Sequence, residues 1–212
     1  MERLKEIVKN NKRWIIAAIC MVVFLIILED VLDNEIANFD KAVYSFVILT
    51  KSDIVTSFFK NVTFWGSAVP LISICIVSFI ILKNKKIAAL ILANLTISAA
   101  LNLLLKNVIR RDRPIGYRLI EESGFSFPSG HSMASMAFYG LIIYFVIRFV
   151  KNRALKIFLS IMLSLLIILI GMSRIYLGVH YPSDVFAGFV FTVAYLIFYI
   201  TIILKPIVNE KN

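Results

Sequence analysis

Apolar stretches of nearly bilayer-spanning length alternate with short polar segments along the chain. Read in order, they predict six spans, near 14–32, 64–82, 87–105, 132–150, 157–176 and 184–204. A helix needs about 20 apolar residues to cross the hydrocarbon core, and a backbone in lipid must pair its polar groups internally. The pattern therefore predicts an all-α integral membrane protein with six transmembrane helices, forming a single domain over residues 1–212.

The segment between the first two spans, 33–63, has a pattern of its own. Its apolar residues recur at spacings of three and four on both sides of Lys51-Ser52-Asp53, which interrupts the pattern in the manner of a helix N-cap. We expect two short amphipathic helices that lie at the extracytoplasmic interface. The pattern leaves two roles open for them, a lid or ramp for a lipid and a simple cover for the bundle.

The distribution of charge predicts which side each loop faces. Hydrophobic residues make up 60% of the chain, the mean hydropathy is +0.87 and the formal net charge is +10. Of the 23 Lys and Arg, 14 lie in the two terminal tails and in the turns at 83–86 and 148–156. The positive-inside rule places these segments, with both termini, in the cytoplasm. We therefore interpret the positive charge as a determinant of membrane topology and not as a sign of nucleic-acid binding. The chain is predicted to be a multi-pass protein of the plasma (cytoplasmic) membrane.

Three polar clusters occur where predicted spans meet the outer face. Their members are Lys106 with Arg113-Pro114, then Pro128-Ser129-Gly130-His131, then Ser173-Arg174 with His180 and Asp184. Each cluster alone has a structural interpretation: a lysine that reaches the interface, a capped turn, or a His–Asp pair at a helix start. Because all three fall on one predicted face, they favour a single composite site outside the cytoplasm.

Two of the clusters open helices, which suits the binding of an anion. Exposed amides at a helix N-terminus bind phosphate, and Gly130 allows close approach of the backbone. An aspartate near His180 fixes the tautomer of the imidazole. A polar stripe at intervals of four, Asn94, Ser98 and Asn102, is expected to face the bundle interior.

Taken in order, these motifs resemble a known signature. Lys106-x6-Arg113-Pro114, Pro128-Ser129-Gly130-His131 and Ser173-Arg174-x5-His180-x3-Asp184 are similar to the three motifs of the type 2 phosphatidic acid phosphatase superfamily. The resemblance covers the chain from the third span onward. With six spans and an outward site, the chain looks like the bacterial branch of phosphatidylglycerophosphatases and undecaprenyl-diphosphatases.

The resemblance implies a role for each residue at the site. His180 would attack phosphorus and carry a phosphohistidine, Asp184 would orient it, and His131 would act as general acid and then general base. The phosphoryl oxygens would be held by side chains and backbone amides, namely Lys106, Arg113, Arg174 and the amides near Ser129 and Gly130. No metal or other cofactor is required in this scheme, so activity should survive a chelator. It also predicts a bell-shaped pH profile.

The expected activity is hydrolysis of a lipid phosphate or diphosphate that reaches the site laterally from the bilayer. An outward site favours undecaprenyl diphosphate, a cell-wall carrier, over the phospholipid precursors phosphatidylglycerophosphate and phosphatidic acid. A phosphotransferase or a phosphatase for water-soluble esters would use the same site. A non-enzymatic anion-binding transporter is less favoured, because transporters usually bind their substrates near the midplane. The pattern does not indicate an oligomeric state.

Overall fold

The computed structural model describes residues 2–116 and 118–204, with side chains from residue 11 onward. Within these residues the chain is helical and contains no strand. Its helices are α1 (Glu2–Leu32), α2 (Ala37–Ile48), α3 (Asp53–Phe64), α4 (Ala68–Ile81), α5 (Lys85–Ile109), α6 (Gly130–Phe149), α7 (Arg153–Tyr176) and α8 (Pro182–Phe198), which a π-helical segment (Tyr199–Leu204) continues. The all-α prediction is confirmed.

In the part of the chain that the structure describes, five helices are long and apolar enough to cross a membrane: α1, α5, α6, α7 and α8 with its π-helical extension. The second predicted span, 64–82, forms the 14-residue α4. At 1.5 Å per residue α4 is about 21 Å long, whereas the hydrocarbon core is about 30 Å thick. The span is shorter than predicted because residues 65–67 turn instead of continuing a helix.

The segment 33–63 forms the two helices that its pattern predicted. Ser52 is the N-cap of α3, and its hydroxyl accepts a hydrogen bond from the amide of Val55 at 3.2 Å. The axes of α2 and α3 differ in direction by 120°. On the bundle side, the hydroxyls of Thr56 and Tyr176 lie 2.9 Å apart, and the rings of Phe59 and Tyr176 are in contact. Thus α3 is fastened to the end of α7.

Helix α6 lies at the centre of the bundle and contacts α5, α7 and α8, while α1 packs along α8. The polar stripe on α5 faces this centre, as predicted. The amide of Asn94 donates to the carbonyl of Ala137 at 2.8 Å, and that of Asn102 donates to the carbonyl of Pro128 at 3.0 Å. Because α5 to α8 run alternately up and down, the ends of α5 and α7 meet the starts of α6 and α8.

Candidate active site

The structure brings all three sequence clusters together at one end of the bundle. Arg113 and Ser129 belong to the segment between α5 and α6, whereas His180 lies between α7 and α8. The backbone amide of Ser129 donates to the backbone carbonyl of Asp184 at 3.0 Å, which ties the start of α6 to the start of α8. The predicted composite site is therefore a single group of neighbouring residues.

His180 and Asp184 form a buried pair. His180 is only 2% exposed, and its Nδ1 lies 3.3 Å from Oδ2 of Asp184. The same carboxylate oxygen accepts from the amide of Tyr181 at 2.9 Å. A carboxylate beside Nδ1 favours the tautomer with the proton there, which leaves the lone pair on Nε2. Burial, the dominant influence, lowers the pKa of His180 to about 4, so the ring is neutral near pH 7.

Arg113 presents its guanidinium group to the unprotonated nitrogen of His180. Its Nη1 lies 3.2 Å from Nε2 of His180 and donates to the carbonyl of Val179 at 2.9 Å. The carbonyls of Gly124 and Ser123 accept from its Nε and Nη2. Burial lowers the pKa of Arg113, yet a guanidinium stays charged in proteins. A fixed cation therefore lies next to the candidate nucleophile.

Two further cations complete this surface. Arg174 is 1% exposed; it donates to the hydroxyl of Thr63 at 2.8 Å and pairs with Glu122. Its buried Nε has no hydrogen-bond partner among the described residues. Lys106, in the last turn of α5, donates to the carbonyl of Phe125. An unpaired guanidinium donor and an ammonium group are what an anionic ligand requires.

His131 lies in the first turn of α6, close enough to the cations of Arg174 and Lys106 to experience their charges. The helix begins at Gly130, and the N-cap is Ser129. A side chain in place of Gly130 would approach Oδ1 of Asn102 to 3.0 Å. This position therefore favours glycine. The close approach of an anion to the backbone would favour glycine for the same reason.

Two cavities reach the site from different sides. A mainly apolar one of about 440 Å³ lies among α4, α5 and α6, and both Gly130 and His131 line it. A second one of about 400 Å³ reaches His180 from the side of α1 and α2, and it includes Lys41 and Arg111. The two histidines thus face different environments, one apolar and one polar.

Four residues at the site were not singled out from the sequence: Asp40, Thr63, Arg111 and Glu122. Asp40 carried a usable signal, because it lies three and seven residues before Val43 and Val47 and so shares the apolar face of α2. The other three contact residues that are distant along the chain, which no local pattern reveals. Across the described ranges, no three His, Cys, Asp or Glu side chains cluster closely enough to hold a metal ion.

Comparison with known proteins places this geometry in a family. The profile of the PAP2 superfamily matches residues 87–207, which contain all eight residues predicted for the site. Phosphatidylglycerophosphatase B of Bacillus subtilis (strain 168) is 31% identical over 172 residues, covering 78% of this chain and 84% of that protein. A lipid A 1-phosphatase of Rhizobium etli is 36% identical over 115 residues, which are 50% of this chain and 45% of that one.

A solved structure matches the fold over most of its length. The transmembrane PAP2 type phosphatidylglycerolphosphate phosphatase from Bacillus subtilis superposes with a TM-score of 0.81 at 27% identity, and the match covers 92% of this chain and 97% of that one. The sequence and the fold therefore agree on the same relatives. The chain belongs to the PAP2 superfamily.

Proposed function

We propose that this membrane protein hydrolyses a lipid phosphate or diphosphate through a phosphohistidine formed on His180. The observation that carries the proposal is the buried His180–Asp184 pair, whose unprotonated Nε2 accepts from Nη1 of Arg113 at 3.2 Å. A neutral imidazole with an oriented lone pair is a nucleophile, and the adjacent cation attracts a phosphoryl group to it. Membership of the PAP2 superfamily and relatives with phosphatase names support the same reaction class.

In the first step Nε2 of His180 attacks phosphorus, and the bond from phosphorus to the lipid oxygen breaks. His131 gives its proton to that oxygen. In the second step water attacks the phosphohistidine, His131 takes a proton from the water, and the phosphorus–nitrogen bond breaks. Lys106, Arg113 and Arg174 stabilise the charge on the phosphoryl oxygens in both steps, so this scheme needs no metal ion.

The position of the apolar cavity supports a lipid substrate. An in-line displacement puts the leaving group opposite the nucleophile, and the cavity among α4, α5 and α6 is lined by His131, the proposed general acid. A lipid that reaches the site from the bilayer through this cavity would place its departing oxygen near the general acid. Soluble esters have no need of such a cavity.

The choice of lipid rests on two different arguments. The predicted outward orientation of the site favours undecaprenyl diphosphate, an argument from topology and family resemblance. The name of the Bacillus subtilis relative favours phosphatidylglycerophosphate. We therefore propose both as substrates to be ranked by measurement, with phosphatidic acid third.

The test is phosphate release by purified protein in detergent with EDTA present, from the three lipids side by side. His180→Ala and His131→Ala should each lower release at least 100-fold, since each removes a group that touches the reacting atoms. The exposed Arg110 provides a matched control, because Arg110→Ala removes a cation of the same loop and should leave release within twofold of the wild type. A phosphate label on the protein that is acid-labile, alkali-stable and absent from His180→Ala would support the intermediate. Full activity in folded His180→Ala would refute the proposal.

A further inference from the structure

A buried chain of charged groups connects α2 to the candidate nucleophile. Nη2 of Arg111 lies 2.7 Å from Oδ2 of Asp40, and Nη1 of Arg111 lies 2.6 Å from Oδ1 of Asp184. The other oxygen of Asp184 faces Nδ1 of His180. Asp40 is 3% exposed. Asp40 of α2, Arg111 of the segment after α5 and Asp184 of α8 thus form a continuous chain of contacts that ends at the imidazole of His180.

Asp40 holds the first turn of α8 as well as Arg111. Its Oδ1 accepts from the amide of Ser183 at 2.9 Å, and its Oδ2 accepts from the hydroxyl of Ser183 at 2.7 Å. The guanidinium of Arg111 lies over the ring of Tyr181 at 4.0 Å from the centroid. This pair therefore fixes two residues that precede Asp184, Tyr181 and Ser183.

We propose that Arg111 and Asp40 are positioning residues for the reaction and act on His180 through Asp184. The inference rests on the proposed function of His180. A carboxylate with one partner rotates, whereas Asp184 has Arg111 on one oxygen and His180 and Tyr181 on the other. Arg111 thereby holds Oδ2 towards Nδ1 and keeps the lone pair of Nε2 directed at phosphorus. Preorganisation of this kind is expected to act on kcat.

Asp40 is the counter-ion that keeps Arg111 in this bridging position. Without it, the free arm of Arg111 would be available to bind a phosphate or to share both oxygens of Asp184. Arg111 is therefore distinct from Arg113, which faces Nε2 directly. The arrangement also gives α2 a role in the reaction, since the helix supplies the outer end of the chain of charges.

The test is a double-mutant cycle on the purified full-length protein. Arg111→Gln, Asp184→Asn and their combination are compared by kcat and KM for phosphate release from phosphatidylglycerophosphate. We expect Arg111→Gln to lower kcat at least tenfold while KM stays within twofold. In the Asp184→Asn background the same change should lower kcat less than twofold, because the carboxylate that Arg111 positions is already absent. A merely structural loss would lower kcat equally in both backgrounds.

Two conservative variants keep the test decisive if Arg111→Gln does not fold. Arg111→Lys retains the charge but not the two-armed bridge, and it should keep more activity than Arg111→Gln while remaining below the wild type. Asp40→Asn should lower kcat three- to tenfold. The matched control is the exposed Asp112, whose change to Asn should leave kcat unaltered. Folding is checked by size-exclusion elution and thermal melting.

Several results would overturn the inference. Wild-type kcat in folded Arg111→Lys and Asp40→Asn is one, and multiplicative losses in the double mutant are another. A change confined to KM would instead identify Arg111 as a phosphate ligand. Activity that survives in both His180→Ala and Asp184→Asn would refute the proposed function itself, whereas loss in those two with full activity in the Arg111 and Asp40 variants refutes only the positioning role.

Discussion

Replacing Glu122 by glutamine should strengthen the binding of phosphate. One oxygen of Glu122 contacts Nη2 of Arg174, and the other lies 3.8 Å from Nη2 of Arg113. Under the proposed function these two guanidinium groups bind the phosphoryl oxygens, so the carboxylate and the phosphate compete for the same cations. Glutamine keeps the shape and one oxygen that accepts from Arg174, and it removes the negative charge.

The size of the effect follows from Coulomb's law. Two unit charges about 5 Å apart repel by about 3 kcal/mol at an effective dielectric constant of about 20. The side chain of Glu122 is 29% exposed, so solvent screening reduces this value to about 1–2 kcal/mol. That energy corresponds to a change of about 5- to 30-fold in a binding constant.

The assay is product inhibition by inorganic phosphate during lipid hydrolysis. We expect the inhibition constant to fall about 5- to 30-fold in Glu122→Gln, with a smaller fall at high salt because screening weakens the repulsion. Glu121 is the exposed neighbour, and Glu121→Gln should behave as the wild type. An unchanged or higher constant in Glu122→Gln would refute the competition and assign Glu122 to the support of Arg174.

Three further outcomes are expected. Since a protonated His180 has no lone pair at Nε2 and its pKa is lowered to about 4, kcat/KM should hold down to about pH 5 and fall below it; an acid limb above pH 6 would contradict this. EDTA should leave phosphate release unchanged, and loss that is restored by magnesium would count against three cations as the electrostatic catalysts. In Gly66→Ala, the new methyl would lie 2.5 Å from Ile170 and 3.2 Å from His131, so kcat should fall; Gly140→Ala, which meets only the side chains of Leu196 and Met136, should lower thermal stability and leave kcat unchanged.

The spans and the site clusters could be predicted because both depend on short-range patterns. The length of a run of apolar residues indicates a membrane-spanning helix. Because consecutive spans run in opposite directions, the end of one helix and the start of the next lie on the same side of the membrane. The same reasoning predicted the second span at 64–82, whereas α4 begins at Ala68 and is shorter. Trp65, Gly66 and Ser67 lie in an apolar stretch, yet the chain turns there, where a side chain at Gly66 would collide with Ile170 and His131.

The remaining parts of the site depend on contacts between distant segments. Asp40 and Arg111 are 71 residues apart, and Thr63 and Arg174 are 111 apart. No periodicity within a helix encodes such pairs, since they form only when α2 and α3 fold back over the bundle. The open question of whether these helices cover or assist the site therefore needed the tertiary structure, which places Asp40 and Thr63 in contact with site arginines.

Arg111 and Arg113 are two positions apart, yet their side chains have different partners. Their contacts, and not their place in a sequence motif, indicate what each of them does. Two carboxylates, Asp40 and Asp184, neutralise Arg111. Arg113 is held mainly by backbone carbonyls, which fix its direction without cancelling its charge. Under the proposed function, the positive charge of Arg113 therefore remains available to a phosphoryl group at Nε2 of His180, while that of Arg111 is neutralised within the protein. On the same proposal, the fold separates attraction of the substrate from orientation of the nucleophile, although both functions come from the same type of residue two positions apart.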